Sequence, residues 1–334
     1  MLTVLLAACT SGPPQPEPVA PDSGGVVGDT GQTGTADSGD TGDTGAPDDT
    51  GETGGTDTGD TAEPLEPAWL AVSAGSNTTC GIRVDESIEC WGRLNDGLDG
   101  APAGAFRALA MATTGACALD LVGEVHCWGK TFLDDTPPAG PWESLRCGAS
   151  ACAVIDATGA LRSFGSDTVG YPDPPDGKFL AAEFGAGPQE LCAVRDSGEL
   201  ICWTEDGTEF SPLSGTFVDV AVGGLFGCGL DAAGGTSCWS YFYDATYYGA
   251  DDPPELNFVQ FDLASWGGCG VSVDHELACW GEPLYFDGSS RTAPPEGDFV
   301  QTDVGSGDHA CGLTTAGQVL CWGNDHEGKS TPPL

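Results

Sequence analysis

The chain has 334 residues, with 51 acidic against ten basic side chains, a formal net charge of −41, 52 glycines and 15 cysteines. That charge opposes binding to nucleic acid or anionic lipid, because proteins hold both polyanions mainly through Lys and Arg. So many cysteines argue against a reducing cytosol unless they bind metal or react.

Met1 to Cys9 is a short apolar run ending Leu6-Ala7-Ala8-Cys9. It is too short to cross a bilayer. It resembles a bacterial lipobox with Cys9 as the lipidated residue, although no Lys or Arg precedes Arg83 to supply a basic leader. The competing reading is a shortened ordinary signal peptide. A lipid on Cys9 is the one expected link to a membrane, placing the protein on a bacterial outer membrane or extracellular surface.

Residues 10–66 are rich in Asp, Thr, Gly and Pro, with no aromatic and no basic side chain, as in Gly39-Asp40-Thr41-Gly42-Asp43-Thr44-Gly45. Such a segment cannot bury enough apolar surface to fold. It is expected to be a disordered acidic stalk with an r.m.s. reach of roughly 40 Å. The spacing of its acids does not match an EF-hand.

From residue 67 to 334 the pattern changes. Cys80 and Cys90, Cys117 and Cys127, Cys192 and Cys202, Cys228 and Cys238, Cys269 and Cys279, and Cys311 and Cys321 are each ten positions apart. Each second cysteine precedes a tryptophan: Trp91, Trp128, Trp203, Trp239, Trp280 and Trp322. A degenerate seventh copy runs from Cys152 to Phe164-Gly165, so the first cysteines recur every 35 to 42 residues. Apolar and β-branched runs bounded by Gly, Pro and Asp clusters read as strands. Seven repeats of about 40 residues made of short strands predict an all-β, seven-bladed propeller, and the short repeat length favours three strands per blade. Small residues in Val72-Ser73-Ala74-Gly75 and Val304-Gly305-Ser306-Gly307 suit inner strands crowded at an axis.

If Cys117 faces Cys127 across a hairpin, Ala118 faces His126 and Leu119 faces Val125. Opposed residues in an antiparallel pair are close enough for a disulfide. Six cross-strand disulfides follow. In the third repeat Ser163 replaces the second cysteine and Cys147 is extra, so Cys147 and Cys152 are expected to pair. Zinc would need cysteines two to four residues apart in pairs, a spacing this chain lacks. No metal or cofactor is expected. The ladder implies an oxidising compartment.

Catalytic constellations are scarce. The four histidines, His126, His275, His309 and His326, fall in separate places, and Asp325-His326-Glu327 reads as solvated loop. Turn acids Asp120, Asp156, Asp196, Asp231 and Asp274 are expected to bond their own backbone, with Gly123, Gly159, Gly198, Gly234 and Gly317 supplying positive φ. An enzyme is not expected.

All six tyrosines lie in the loops that follow the tryptophan strand, Tyr171 in blade three, Tyr241, Tyr243, Tyr247 and Tyr248 in blade five, and Tyr285 in blade six. Phe286 and the acids Asp244, Asp251 and Asp287 interleave with them. Equivalent loops should emerge on one face, and tyrosine is enriched at binding hot spots. Tyr241, Tyr243, Tyr247, Tyr248, Tyr285 and Phe286 are therefore the candidate binding residues, the alternative being that they pack their own loops.

His309-Ala310-Cys311-Gly312-Leu313, Gln318-Val319-Leu320-Cys321-Trp322-Gly323-Asn324 and Pro332-Pro333 resemble the repeat of the regulator of chromosome condensation, in its cysteine-bearing bacterial form. The short period is similar to that of the propeller-type β-lactamase inhibitory protein and of the Crinkly-type receptor-kinase ectodomains. The resemblance spans residues 67–334 and implies a propeller. Eukaryotic members exchange nucleotide on a nuclear small GTPase, which an exported acidic protein is not expected to do. The expectation is a monomeric, surface-tethered module that binds a protein or glycan through one loop face, without nucleic acid. The alternatives are a polysaccharide-acting enzyme and an envelope component without a discrete ligand.

Overall fold

A computed structural model of the chain describes residues 68–130, 136–165, 174–185, 190–204, 207–241, 249–281, 293–306 and 308–333. The seven repeats form seven antiparallel sheets, each a contiguous stretch of chain running inner, middle and outer strand. The inner strands are Trp69–Ala74, Phe106–Met111, Ser144–Cys147, Phe179–Phe184, Asp219–Val222, Phe258–Leu263 and Phe299–Val304. Blade four departs from three strands, since Glu209–Phe210 adds a fourth beside Cys202 and Trp203.

Each inner strand is entered through a buried aromatic: Trp69, Phe106, Trp142, Phe179, Phe217, Phe258 or Phe299. The ring packs against the middle strand, at the residue after the first cysteine. A Cβ at Gly270 would sit 2.6 Å from Phe258, and one at Gly312 would sit 2.7 Å from Phe299. That contact explains the recurring Cys-Gly pair. Directly after the aromatic, the register skips one residue in five blades, at Leu70, Arg107, Leu180, Val259 and Val300. A bulged residue has no opposite partner, and its side chain is turned out of the ladder.

The hairpin turns follow the expected chemistry in part. Asp120, Asp156 and Asp231 each accept two backbone N–H groups through Oδ1, at 2.8 to 3.0 Å. In blade six the acceptor is the Ser272 hydroxyl, which takes the N–H of Asp274 and of Glu276, while Thr314 takes the N–H of Gln318 in blade seven. The five glycines named for these turns all have positive φ.

Seven disulfides are present. The six ten-residue pairs join middle to outer strands, with Cα atoms 4.0 to 4.1 Å apart. Cys147 bonds Cys152, as its neighbourhood in sequence implied, but this bond joins the inner to the middle strand. Ala153 faces Ser163, so Ala153 holds the first-cysteine position of blade three. Cys152 is one residue earlier, and its side chain is on the other face of the sheet.

The ring closes without a shared strand. In blade one, the N–H groups of Ala68 and Trp69 donate to Gly317 O, and Thr79 Oγ1 meets His309 Nε2 at 2.8 Å. The loop after blade seven offers Lys329 O to both Thr79 Oγ1 and Trp91 Nε1.

Candidate functional site: the axial channel and the apolar face

Counting from each entry aromatic, the third and fifth residues of every inner strand point toward the axis, because side chains alternate along a strand. The fifth positions are Ser73, Ala110, Arg146, Glu183, Ala221, Asp262 and Asp303. The third positions include Asp219, Gln260 and Gln301. All of these but Ala221 line a cavity of about 250 Å3 at one end of the channel or a second of about 290 Å3 at the other.

Most of these polar groups serve the neighbouring blade. Gln260 accepts from Thr302 N and donates to Thr302 O, both at 2.8 Å. Gln301 does the same with Val72, at 3.2 and 2.9 Å. Asp262 accepts the N–H of Val304 at 2.6 Å, Asp303 that of Ala74 at 2.7 Å, and Ser73 that of Met111 at 3.0 Å. Inner strands six, seven, one and two are stitched in sequence this way.

Blades three to five use charge instead. Arg146 donates to Glu183 and to Asp219, each at 3.1 Å. Its side chain is enclosed by blades yet 36% exposed, since it lines both cavities. The nearby Asp219 charge raises the Arg146 pKa further, and it stays cationic. One arginine faces four carboxylates. Burial pushes Glu183 and Asp262 above the usual carboxylate range, and burial reinforced by Asp262 pushes Asp303 up to about 8.

Of the residues singled out in sequence, Tyr241 closes the outer strand of blade five and is half-buried. Its ring meets Trp239 edge-on at 6.2 Å. Its hydroxyl faces the buried Glu190 carboxyl without regular hydrogen-bond geometry. Burial raises Glu190 to about 7, and burial together with Glu190 raises the phenol. Tyr243, Tyr247, Tyr248, Tyr285 and Phe286 lie outside the described residues, as do Tyr171, Cys9 and the stalk. His126 pairs with Asp120 at 3.0 Å, His275 Nδ1 meets Phe299 O at 2.9 Å, and Asp325 is committed to Ser330 N and Thr331 Oγ1.

A surface that the sequence reading missed comes from the residues beside the entry aromatics and from the hairpin turns. Among the described residues, the large apolar side chains standing most exposed are Leu70, Leu180, Val218, Val259 and Val300 beside the entry aromatics, and Val84, Leu121, Val122 and Val273 on the hairpin turns. Inner strands begin, and middle strands end, on the same face of the disc. All nine therefore share that face, and Leu180, Val218 and Val259 border the channel mouth that holds Arg146 and Asp219. Exposed turn acids Asp85, Glu124, Asp196 and Asp274 rim it. The loops following the outer strands leave from the opposite face. The available signal was a single apolar residue after each entry aromatic, in five of seven repeats.

Residues 299–329 match the family model described as the regulator of chromosome condensation (RCC1) repeat. Blade seven is thus an RCC1-type repeat, and the other blades share its strand order. No curated protein sequence matches this chain. In solved structures, the ectodomain of the Physcomitrella patens receptor kinase CR4 superposes with a TM-score of 0.60 at 21% identity, over 77% of this chain and 74% of that one. The CRINKLY WD40 ectodomain of the Arabidopsis thaliana receptor kinase ACR4 gives 0.58 at 19%, over 77% and 98%. Human WBSCR16 gives 0.53 at 13%, over 79% and 85%. These proteins share the propeller fold with this chain.

The raised channel carboxylates have a consequence for stability. Their folded pKa values exceed the unfolded value of about 3.9, so the folded state holds protons that the unfolded state releases. Stability therefore falls as pH rises from about 4 toward the Asp303 value of about 8. Asp303→Asn keeps an oxygen for Ala74 N and removes the charge. Denaturation midpoints measured across this window should fall less steeply in the variant, which should be the more stable form above pH 8. An unchanged slope would contradict this.

Proposed function

We propose that the chain is an exported propeller that binds a protein partner on the apolar face, held at the bacterial surface through a lipid on Cys9 and its acidic stalk. The observation that carries this reading is the gathering of nine exposed aliphatic side chains on one face, around an acidic channel mouth. Contiguous exposed apolar surface with a polar rim marks interaction sites in soluble proteins. The side chains are aliphatic, which fits a protein better than a sugar, whose rings stack on aromatic faces.

Charge defines the partner further. Residues 67–334 carry 38 acids against ten bases, and the channel holds four carboxylates against Arg146. The complementary partner presents an apolar knob with a Lys or Arg tip, the apolar part on Leu180, Val218 and Val259 and the cation toward Asp219. Rim acids would speed association more than they hold the complex. The function is recognition rather than catalysis. Seven disulfides fit the oxidising compartment this role requires.

A photo-crosslinking residue placed at Val259 should capture the partner in native envelope material, and one placed at Tyr247 should not. Leu180→Glu combined with Val259→Glu should weaken binding of the identified partner by about tenfold or more. Capture through position 247, with binding unaffected by the double substitution, would return the site to the tyrosine loops. For the tether, Cys9→Ser should move the protein from the membrane fraction to the medium. Unchanged fractionation would rule the lipid out.

A further inference from the structure

The displaced cysteine of blade three brings two disulfides together. Cys117, on the middle strand of blade two, faces blade three, just as the other first cysteines face the blade that follows. Because Cys152 is one residue out of phase, its sulfur points back toward blade two. The Sγ atoms of Cys152 and Cys117 are 3.8 Å apart. Those of Cys117, Cys147 and Cys152 all lie within 4.8 Å of one another, the one such three-sulfur cluster among the described residues. All three are committed to disulfides, so the cluster has no thiolate to offer a metal. The Thr113 N–H donates to Ala149 O at 3.0 Å and fixes the two adjoining loops.

Access differs sharply between the two ends of each bond. Cys117 and Cys152 have no exposed surface, and they pack with Leu119, Trp142, Leu145 and Val154. Cys147 is partly exposed and lines the axial cavity, and Cys127 is partly exposed on the outer strand of blade two.

We propose that these four cysteines form a thiol–disulfide exchange relay, which accepts a monothiol in the axial cavity and delivers a free thiol at Cys127. The monothiol, as its thiolate, attacks Cys147 Sγ. The Cys147–Cys152 bond breaks, a mixed disulfide forms on Cys147, and Cys152 leaves as a thiolate. Apolar surroundings disfavour that buried thiolate. It attacks Cys117 Sγ, already in contact, forming Cys117–Cys152 and breaking Cys117–Cys127. The Cys127 thiolate takes up the proton that the monothiol lost. One thiol is consumed and one is released, two disulfides become two others, and no net oxidation or reduction occurs. Attack at Cys127 runs the mirror sequence, in which Cys117 leaves as the thiolate, attacks Cys152 Sγ and frees Cys147. Exchange proceeds through successive thiolate attacks of this kind. In either direction the fully buried sulfurs end bonded to each other across the blade seam, and the reactive groups sit at the two accessible ends.

The test uses the folded chain with glutathione at about pH 8, where enough thiolate is present, followed by acid quenching and peptide mapping. The expected main product carries glutathione on Cys147, a Cys117–Cys152 bond and a free Cys127, or the mirror product with glutathione on Cys127 and a free Cys147. Glutathione on Cys147 with a free Cys152 and an intact Cys117–Cys127 bond would overturn the relay, as would first reaction in another blade or no adduct at all. A Cys127→Ala/Cys147→Ala chain leaves Cys117 and Cys152 as the only sulfurs at the seam. With oxidised glutathione supplied as the oxidant, it should form the Cys117–Cys152 bond and release reduced glutathione, and two persistent free thiols there would equally overturn the proposal.

Discussion

Every inner strand of this propeller turns one edge toward the axis, where no further strand can pair with it. Unpaired backbone N–H and C=O groups are costly when buried and sticky when exposed. The ring meets this constraint with side chains from the preceding blade: Gln260 and Asp262 on blade seven, Gln301 and Asp303 on blade one, and Ser73 on blade two. Burying carboxylates there is unfavourable, and their pKa values rise as a result. The same residues that close the ring also make the channel acidic, so the stability and the recognition chemistry of the protein are linked.

Closure through side chains also explains why the blades need not share a strand. Each blade is stapled within itself by a disulfide and holds its aromatic against its own middle strand. What remains for the seams is packing between adjacent sheets, a backbone bond from each entry aromatic to the hairpin turn of the preceding blade, and the side-chain hydrogen bonds at the axis. Blades two and five bring Ala110 and Ala221 to the stitching position and contribute no such bond. Arg146 works elsewhere, linking blade three to both blade four and blade five.

The fold was legible because the cysteine spacing fixes strand register as well as repeat length: ten residues between cysteines define one hairpin. Cys147 with Cys152 was legible as a pair, but not as a bond between different strands, because a one-residue slip moves a side chain to the other face of a sheet without changing composition. The channel was hidden for a related reason. Asp262 and Asp303 look like ordinary surface acids until the bulge beside each entry aromatic sets which residues of the inner strand face the axis. Leu70, Leu180, Val259 and Val300 read as core residues of apolar strands, and only the register skip exposes them. The tyrosines drew attention by type. For Tyr241, the structure shows a side chain packed on Trp239.

The central claim is that side chains at the axis, rather than a shared strand, close the ring. It is tested most directly at the amide of Val72, whose N–H is held by the Gln301 side chain. Native-state hydrogen exchange should show the Val72 amide of a Gln301→Ala chain opening at least about tenfold faster, the loss of roughly 1.4 kcal/mol of local protection. The amides of the blade three inner strand should keep their rates. An unchanged Val72 rate would mean that blade packing and the bonds to Gly317, His309 and Lys329 hold the ring shut and that the axial side chains are not what closes it.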